Sequence, residues 1–210
     1  NIISKAGKSV FYDNTGGAAT SIVIRNNIIK ELGGGQGTID LRKSSVVNRS
    51  IENNTVIGGR DFLRADKTTV TGGINVDNNT FDGVTLNHGN GIFHVRAEGS
   101  NFSVRRNLFR NENGENNLRA EAGDQVPAMA GNFYYNCTSE KFFAGAIDQA
   151  TATGNGGVVL SADPVKDATN GDYTLVDALC LSSNVGAARW NPNAGRVSTE
   201  ITVSNLEELI

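Results

Sequence analysis

Arginines recur at similar places in three short segments, and they are the side chains in this sequence best suited to chemistry. The segments are Ile39–Arg42 (IDLR), Phe62–Asp66 (FLRAD) and Ile92–Arg96 (IFHVR). A guanidinium group binds a carboxylate through two parallel hydrogen bonds, so aligned arginines favour an anionic ligand. His94, in the third segment, adds a side chain that titrates near neutral pH and can accept a proton. These residue types predict capture of a carboxylate, with proton abstraction beside it as the reaction that His94 would allow.

The sequence offers few alternatives for catalysis or metal binding. His88 and His94 are its two histidines, and without a cluster of cysteines beside them a structural zinc site is not expected. The nucleophile motif G-x-S-x-G of serine hydrolases is absent. Cys137 and Cys180 lie in no C-x-x-C motif, so they could form a disulfide bond in an exported protein or remain two apolar thiols.

The composition excludes several classes of protein. Hydrophobic residues make up 38% of the 210 residues and charged residues 20%, which supplies a core and argues against a disordered chain. The formal net charge of −3 gives no basic excess for nucleic acid binding. No apolar run approaches the roughly 18 residues that a membrane-spanning helix needs. The length suits one domain or one elongated repeat, and because the chain begins at Asn1 we expect other segments of a longer product.

An internal repeat organises the first two thirds of the sequence. Asparagines end equivalent units at positions 27, 54, 79, 107 and 132, in steps of 27, 25, 28 and 25 residues. An alternating segment typical of a half-buried strand precedes four of them: Ser21–Arg25, Arg49–Glu52, Gly73–Asp77 and Asn101–Arg105. A second strand series falls at Val10–Asp13, Ile39–Arg42, Phe62–Asp66 and Ile92–Arg96, and apolar pairs after the asparagines supply a third.

Three short strands in each unit of about 25 residues predict an all-β fold, a right-handed, single-stranded parallel β-helix. Asparagine suits the tight turns of such a coil because it tolerates left-handed backbone angles better than most residues. Equivalent asparagines in coils stacked about 4.8 Å apart can also form a ladder of side-chain hydrogen bonds. We therefore interpret the repeated asparagines as turn and ladder residues rather than catalytic ones.

The predicted strands place the candidate site residues in two outward columns. If Leu41, Leu63 and Val95 point into the core, the side chains next to them point outward, because successive side chains of a strand alternate. One column then contains Arg42, Arg64 and Arg96, extended by Tyr12, and the other contains Asp40, Phe62 and His94. Asp66 and Lys67 follow at the end of one of these strands.

The pattern changes after about residue 150, which predicts a different organisation for the C-terminal part. We expect β-helix coils over residues 1–160, a C-terminal capping segment over 161–196, and a tail over 197–210 that forms a strand and the start of an amphipathic helix. An open end of a β-helix exposes unpaired strand edges, which must be covered to prevent end-to-end association. The only tryptophan, Trp190, lies where such a cap would need a large side chain.

These features together resemble a known family. The strand units ending in Asn-Asn-Thr-Phe, the strands IDLR, FLRAD and FHVRAE, and the closing ADPVKDATNGDYTL and GAARW are similar to a bacterial surface family of right-handed parallel β-helices in the pectate-lyase-like superfamily. The similarity covers nearly all of residues 9 to 190. Members accompany polysaccharide-utilisation systems, and the family has no settled activity. The resemblance implies a secreted or cell-surface protein, and related lyases imply acidic polysaccharide as the substrate class and partner.

Three functions remain open for the arginine-rich segments. A polysaccharide lyase acting on uronate-containing glycans would use Arg64, His94, Arg96 and Lys67 as catalytic residues, with Tyr12, Arg42, Phe62 and Asp66 binding the substrate. Arg, Lys or Ca²⁺ can neutralise the uronate carboxylate so that a base removes the adjacent proton, and Ca²⁺ is the cofactor that this chemistry admits. A non-catalytic glycan-binding or adhesive module would use the same arginines. In a structural β-solenoid, by contrast, they would pair with Asp40, Asp61, Asp66 and Glu98 in a salt-bridge ladder.

Overall fold

A computed structural model shows stacked parallel sheets of short strands and confirms the predicted parallel β-helix. It describes residues 1–4, 9–12, 20–30, 38–41, 48–59, 62–65, 73–84, 92–96, 101–111, 118–120, 125–137, 143–145, 147–194 and 200–204. Neighbouring parallel strands within a sheet come from successive units of the sequence, as a solenoid requires. Within these described ranges, no helix is long and apolar enough to cross a membrane.

Sheet A follows the asparagine turns and has seven parallel strands. They are β1 (Ile2–Ser4), β4 (Ile28–Lys30), β7 (Thr55–Ile57), β10 (Thr80–Asp82), β13 (Leu108–Arg110), β16 (Phe133–Tyr135) and β18 (Val158–Leu160). The strands stack in register, so that one inward row runs from Ile3 through Phe81 to Val159. The first and last residues of each three-residue strand therefore point away from the core, which places Asp82 and Arg110 side by side on the outer face.

Sheet B carries the arginine-rich segments. Its four parallel strands are β2 (Phe11–Tyr12), β5 (Ile39–Asp40), β8 (Leu63–Ala65) and β11 (Phe93–Val95). Two further strands, β14 (Leu118–Ala120) and β17 (Phe143–Gly145), pair with each other in parallel. In the later coils, these two strands occur at the point along the chain where the earlier coils have a strand of sheet B.

Sheet C precedes the asparagine turns. Its five parallel strands are β3 (Ser21–Arg25), β6 (Asn48–Glu52), β9 (Gly73–Asp77), β12 (Asn101–Arg105) and β15 (Ala128–Ala130). Buried and half-buried residues alternate along β3 and β9, as predicted for half-buried strands. A sixth strand, β21 (Glu200–Ser204), comes from the C-terminal tail and pairs with β3 in the antiparallel direction. Strand β21 lies within the predicted tail, and residues 205–210, where the start of a helix is expected, lie outside the described residues.

Aromatic rings fill the centre of the solenoid. Phe81 stacks on Phe109 with ring centroids 5.0 Å apart, and Phe109 stacks on Tyr134 at 5.4 Å. Phe62 and Phe93 approach Phe81 edge-on, at 4.8 Å and 6.1 Å. Because each buried aromatic side chain contributes about 2–3 kcal/mol by leaving water, this column is a main source of stability for the stack.

Two residues form each turn from sheet C to sheet A, and the two roles expected of asparagine fall on different residues. The first residue takes the left-handed conformation, with φ of 58° at Asn26, 56° at Asn53 and 55° at Asn78. The second is a buried asparagine that bonds to its equivalent in the next coil; Asn54 Nδ2, for example, donates to Asn79 Oδ1 at 3.0 Å. The bonds of this kind join Asn27, Asn54, Asn79, Asn107 and Asn132, all 0% exposed, and confirm the predicted ladder.

A short helix, α1 (Gln149–Thr153), lies against the last strand of sheet C. Asp148 caps this helix by accepting a hydrogen bond from Thr151 N at 2.7 Å. Ala152 is buried in the core, and its carbonyl accepts a hydrogen bond from Tyr134 Oη at 3.3 Å. Asn155, just after the helix, donates to the carbonyl of Met129 in β15. Helix α1 therefore packs on β15 at one end of the stack, where Val159 of the last strand of sheet A is 49% exposed, and β21 covers the edge of β3 at the other end.

Residues 161–194, which we call the lateral segment, pack along the side of the stack. The segment contains an antiparallel pair, β19 (Val165–Asp167) and β20 (Asp172–Leu175), the helix α2 (Ala178–Ser182), and 3-10 turns at Ala168–Asn170 and Ala188–Trp190. Its buried Val165, Tyr173 and Leu175 form a second apolar cluster with Leu108 and Phe133 of sheet A. The lateral segment, which falls within the predicted capping segment, therefore packs on the outer face of sheet A.

Residues 184–190 run along the asparagine turns and bond to four successive units. Gly186 N donates to Arg106 O at 2.8 Å, Ala187 N to Thr80 Oγ1 at 3.0 Å, Ala188 N to Asn53 Oδ1 at 3.2 Å, and the Arg189 guanidinium to Asn26 O. Trp190 Nε1 donates to Thr55 Oγ1 at 2.7 Å. This segment thus crosses the stack almost at right angles to its strands.

Candidate functional site

Four side chains form a row on the outer face of sheet B. In the register of the sheet, Tyr12 lies beside Asp40, Asp40 beside Arg64, and Arg64 beside His94. Their strand neighbours Ile39, Leu63, Phe93 and Val95 all belong to the apolar core, so the row points outward by alternation. Strands in a sheet lie about 4.8 Å apart, so the guanidinium group of Arg64 has the acid of Asp40 on one neighbouring strand and the imidazole of His94 on the other.

The predicted pairing of the arginine columns is wrong by two residues. Leu63 aligns with Ile39 and Phe93, whereas the prediction aligned it with Leu41 and Val95. A shift of two residues keeps every side chain on its own face, so the alternating pattern alone could not distinguish the two registers. As a result Arg64 lies beside His94 rather than in one column with Arg42 and Arg96.

The outward orientation predicted for Phe62 is also wrong. Phe62 is 0% exposed and packs against Phe81 in the core. It lies at a bend just before β8, where the alternation of a regular strand does not apply, and Thr38 and Ile92 occupy equivalent, equally buried positions. A side chain without exposed surface offers no platform for a ligand, so Phe62 is part of the core.

Exposure differs along the row. Tyr12 is 55% exposed and Arg64 is half-buried, while Asp40 is 0% and His94 3% exposed. Arg96 follows His94 by two positions, is exposed, and continues the backbone ladder by donating its N–H to Ala65 O at 2.8 Å. The accessible groups on this face are therefore a phenol and two guanidinium groups, whereas the carboxylate and the imidazole are buried. The remaining predicted site residues, Arg42, Asp66 and Lys67, lie outside the described residues.

A second charged cluster, not predicted from the sequence, lies between sheet A and the lateral segment. The guanidinium of Arg110 bonds to Asp163 through Nε at 3.1 Å and Nη2 at 2.5 Å, and its Nη1 lies 2.7 Å from Asp82 Oδ2. The Tyr173 hydroxyl donates to the same oxygen of Asp82 at 2.6 Å. The guanidinium carbon lies 5.8 Å and 5.7 Å from the ring centroids of Tyr135 and Tyr173. Arg110 is 2% exposed, and these partners balance its charge.

Burial and pairing change the pKa values in this cluster. Burial raises the pKa of the Tyr173 hydroxyl above its ordinary value, and the hydrogen bond to the Asp82 carboxylate raises it further. For Arg110, burial alone would lower the pKa, but the hydrogen bond to Asp163 and the charges of Asp82 and Asp163 outweigh it and raise the pKa. Both groups are thus held in their protonated forms, which suits a structural network.

Arg49 is another charged residue that the strand pattern did not single out. It is 1% exposed and occupies an inward position of sheet C, in register with Ile22 on one side and Ile74 on the other. Both neighbours are apolar and buried. The signal for it in the sequence is the break that NRSIE makes in a column of otherwise apolar inward residues.

The cysteines and possible metal ligands give no second chemistry in the described ranges. Cys137 and Cys180 are both free thiols, so the alternative of two unpaired cysteines holds. Burial raises the pKa of the Cys180 thiol, which keeps it protonated and unreactive. Within the part of the chain that the structure describes, no three His, Cys, Asp or Glu side chains come together as metal ligands.

The chain matches no family model, no curated protein and no solved structure. The resemblance to the pectate-lyase-like superfamily therefore depends on the sequence motifs and on the parallel solenoid that they accompany. A shared β-helix does not by itself carry an activity, because function belongs to sites rather than folds.

Proposed function

We propose that the protein recognises an acidic, uronate-containing polysaccharide outside the cell, at the outer face of sheet B. The observation that supports this function is the row of Tyr12, Asp40, Arg64 and His94 on four neighbouring strands. Exposed Arg96 adds a second guanidinium group on the same side of the sheet. Because neighbouring strands lie about 4.8 Å apart, a polymeric ligand lying across them can contact several strands at once.

Each accessible group has a role that its chemistry favours. Arg64 and Arg96 would bind uronate carboxylates through paired hydrogen bonds. The ring of Tyr12, 55% exposed, would pack against the apolar face of a sugar. Asp40 is fully buried beside Arg64, so it would orient the guanidinium group instead of meeting the anionic ligand.

β-Elimination at the same face is the second candidate, and the direct neighbourhood of Arg64 and His94 favours it. In that reaction Arg64 would neutralise the uronate carboxylate while His94 takes the proton from the adjacent carbon. The electron pair left on that carbon would form a C=C bond, and the glycosidic oxygen would leave and take a proton from solvent. His94 is only 3% exposed in the free protein, so recognition ranks before catalysis.

Calorimetric titration with oligogalacturonate, oligoalginate and a neutral glucan oligomer tests recognition. We expect at least one acidic oligomer to bind, the glucan not to bind, and Arg64→Met/Arg96→Met to weaken the affinity at least about tenfold, or about 1.4 kcal/mol. The matched control is Arg105→Met on sheet C, which removes another exposed arginine and should leave the affinity unchanged. An equal loss in the control, or no binding of either acidic oligomer, would contradict the proposal.

The lyase candidate has its own readout, the ultraviolet absorbance of an unsaturated uronate product. If elimination occurs, the signal should appear with the acidic oligomers and disappear in His94→Gln, while binding of the oligomer persists. Binding without this signal leaves recognition as the function. The absence of both leaves a structural solenoid in which Asp40 neutralises Arg64, as the salt-bridge interpretation predicts.

A further inference from the structure

A cleft of about 510 Å³ lies where the lateral segment meets the outer face of sheet A. Sheet A contributes Asp82, Arg110 and Asn111 to its wall, and the lateral segment contributes Asp163, Lys166 and Thr169. The volume falls within the range of small-molecule sites in proteins. This cleft is separate from the row on sheet B, since it is built on different strands and on a segment that follows the coils.

Hydrogen bonds among the residues of the wall hold the cleft in place. Arg110 donates two hydrogen bonds to Asp163, and the Tyr173 hydroxyl donates one to Asp82. Asn111 Nδ2 donates to Asp82 Oδ1 at 2.9 Å, which orients the amide. Such pre-organisation lowers the entropy that a ligand must lose on binding.

Groups on the rim remain accessible to a ligand. The side chain of Asp163 is 39% exposed and that of Lys166 66% exposed, and Thr169 is also exposed. Each carboxylate oxygen can accept more than one hydrogen bond, so Asp163 can bind a ligand hydroxyl while it still bonds to Arg110. The rim thus presents acceptors on Asp163, donors on Lys166, and a hydroxyl on Thr169 that can do either.

The balance of charge selects the class of ligand. The carboxylates of Asp82, Asp163 and Asp167 outnumber the cationic groups of Arg110 and Lys166, and Arg110 is already engaged by two acids. An anion would meet this acidic excess, and a strongly apolar ligand would leave the polar wall unsatisfied. Arg110 is buried, and the exposed ammonium group of Lys166 lies 3.2 Å from Asp172 Oδ2, so both cations are already paired. The remaining mixture of donors and acceptors fits hydroxyl groups best.

We propose that this cleft binds a neutral, hydroxyl-rich ligand, a sugar unit without carboxylate groups. The segment Ala162–Leu175, which the sequence analysis singled out and the sheet B site does not use, supplies most of the polar wall. The molecule then has two separate sites of different charge preference, an anion-selective row on sheet B and a neutral cleft on sheet A.

Nuclear magnetic resonance titration of the ¹⁵N-labelled full chain with cellobiose, mannobiose, xylobiose and digalacturonate tests the proposal. We expect at least one neutral disaccharide to shift the amide signals of residues 163–169 and Asn111, and digalacturonate to leave them unchanged. Lys166→Met/Thr169→Val should weaken this binding about tenfold or more. Thr174→Val changes the same residue type on the same segment outside the cleft and should bind as the original protein does.

Thermal unfolding of both variants verifies that they are folded, and Arg64→Met should leave the cleft shifts unchanged, which separates this proposal from the one for sheet B. Three outcomes would overturn it. One is that none of the neutral disaccharides shifts the cleft signals. Another is that digalacturonate binds there more tightly than all of them. The third is that the folded Lys166→Met/Thr169→Val variant keeps its full affinity.

Discussion

The same pair of residue types, an aspartate beside an arginine on the next coil, occurs on two faces of this molecule. On sheet A, Asp82 lies beside Arg110, and on sheet B, Asp40 lies beside Arg64. The lateral segment covers the first pair and adds Asp163 as a second acid, so that Arg110 is 2% exposed. Arg64 is half-buried, and its other neighbour is His94.

The difference shows that the residues around an ion pair decide its role. A guanidinium group removed from water must have its charge balanced by the protein, and Arg110 meets this demand with two carboxylates and two aromatic rings. A partly exposed guanidinium group contributes little to stability and keeps hydrogen-bonding capacity for a ligand. The covered pair therefore serves the fold, while Arg64, half-buried beside the fully buried Asp40, is the candidate for recognition.

Replacing each arginine gives the largest test of this contrast. We expect Arg110→Met to lower the free energy of unfolding by about 3 kcal/mol, because it leaves the carboxylates of Asp82 and Asp163 without their buried cation. Arg64→Met should lower it by less, about 1–2 kcal/mol, because the guanidinium group is half-buried and a single carboxylate, that of the buried Asp40, loses its neighbouring charge. Urea unfolding at neutral pH measures both. Equal losses for the two variants would show that the faces do not differ in the way described.

An aromatic residue on each face provides a second test. Trp190→Ala should lower the free energy of unfolding by about 2 kcal/mol, because Trp190 packs 5.7 Å from the Tyr173 ring and donates a hydrogen bond to Thr55. Tyr12→Ala removes a ring that is 55% exposed, and we expect a change below about 0.5 kcal/mol. A larger loss for Tyr12→Ala than for Trp190→Ala would reverse the assignment of the covered and accessible faces.

High pH should weaken the covered face through Tyr173. The folded state raises the pKa of this hydroxyl above the unfolded value of about 10, first by burial and then by the bond to Asp82. The protonated hydroxyl therefore contributes its full stabilisation below about pH 10. As the pH rises above that value, the free energy of unfolding falls by up to about 1.4 kcal/mol per pH unit. Tyr173→Phe should remove the part of this pH dependence that comes from one titrating proton. It should also lower the free energy of unfolding at pH 7 by about 1 kcal/mol, because the hydrogen bond to Asp82 is lost.

Chemical unfolding measured at several pH values between 7 and 11 gives the slope for both proteins. Part of the slope should persist in Tyr173→Phe, because burial also raises the pKa of Tyr134 in the core. Identical slopes in the two proteins would mean that the Tyr173 hydroxyl is not held by Asp82 in the folded state.

The smallest expected effect is a gain in stability at the margin of the covered face. Arg106 has a φ of 51° at the turn position where the earlier coils have asparagine. Since a left-handed conformation strains most residues but asparagine less, we expect Arg106→Asn to raise the free energy of unfolding by about 0.5 kcal/mol. Arg105→Asn is the matched control, because it removes the salt bridge to Asp77 without relieving such strain and should not stabilise the protein. Thermal unfolding compares the two variants.

The repeat made the fold predictable, because the five ladder asparagines and the alternating strands before them recur at nearly constant spacing. The register between coils was not predictable on sheet B. There, both Ile39 and Leu41 are apolar, and a slip of two residues leaves the inward pattern unchanged. Phe62 was misplaced for a related reason, since alternation was extended to a bend outside β8.

The charged cluster on sheet A could not be found from local patterns at all. Its partners Asp82, Arg110 and Asp163 are far apart in the sequence, and they meet only because the lateral segment turns back along the side of the stack. Residues 162–175 look like a series of turns in the sequence, and nothing local to them indicates which face of the solenoid they cover. Long-range packing of this kind depends on the assembled coils.

The path of residues 184–190 along the turns has a consequence for how the solenoid comes apart. Coils that contact only their neighbours can unravel one at a time from either end, and a stack of this kind loses cooperativity as it grows. Here a single stretch of backbone is bonded to Asn26, Asn53, Thr80 and Arg106, which belong to four different coils. Unfolding of any one of these coils therefore disrupts the segment that the other three coils also bind. We expect the middle of the solenoid to unfold as one cooperative unit.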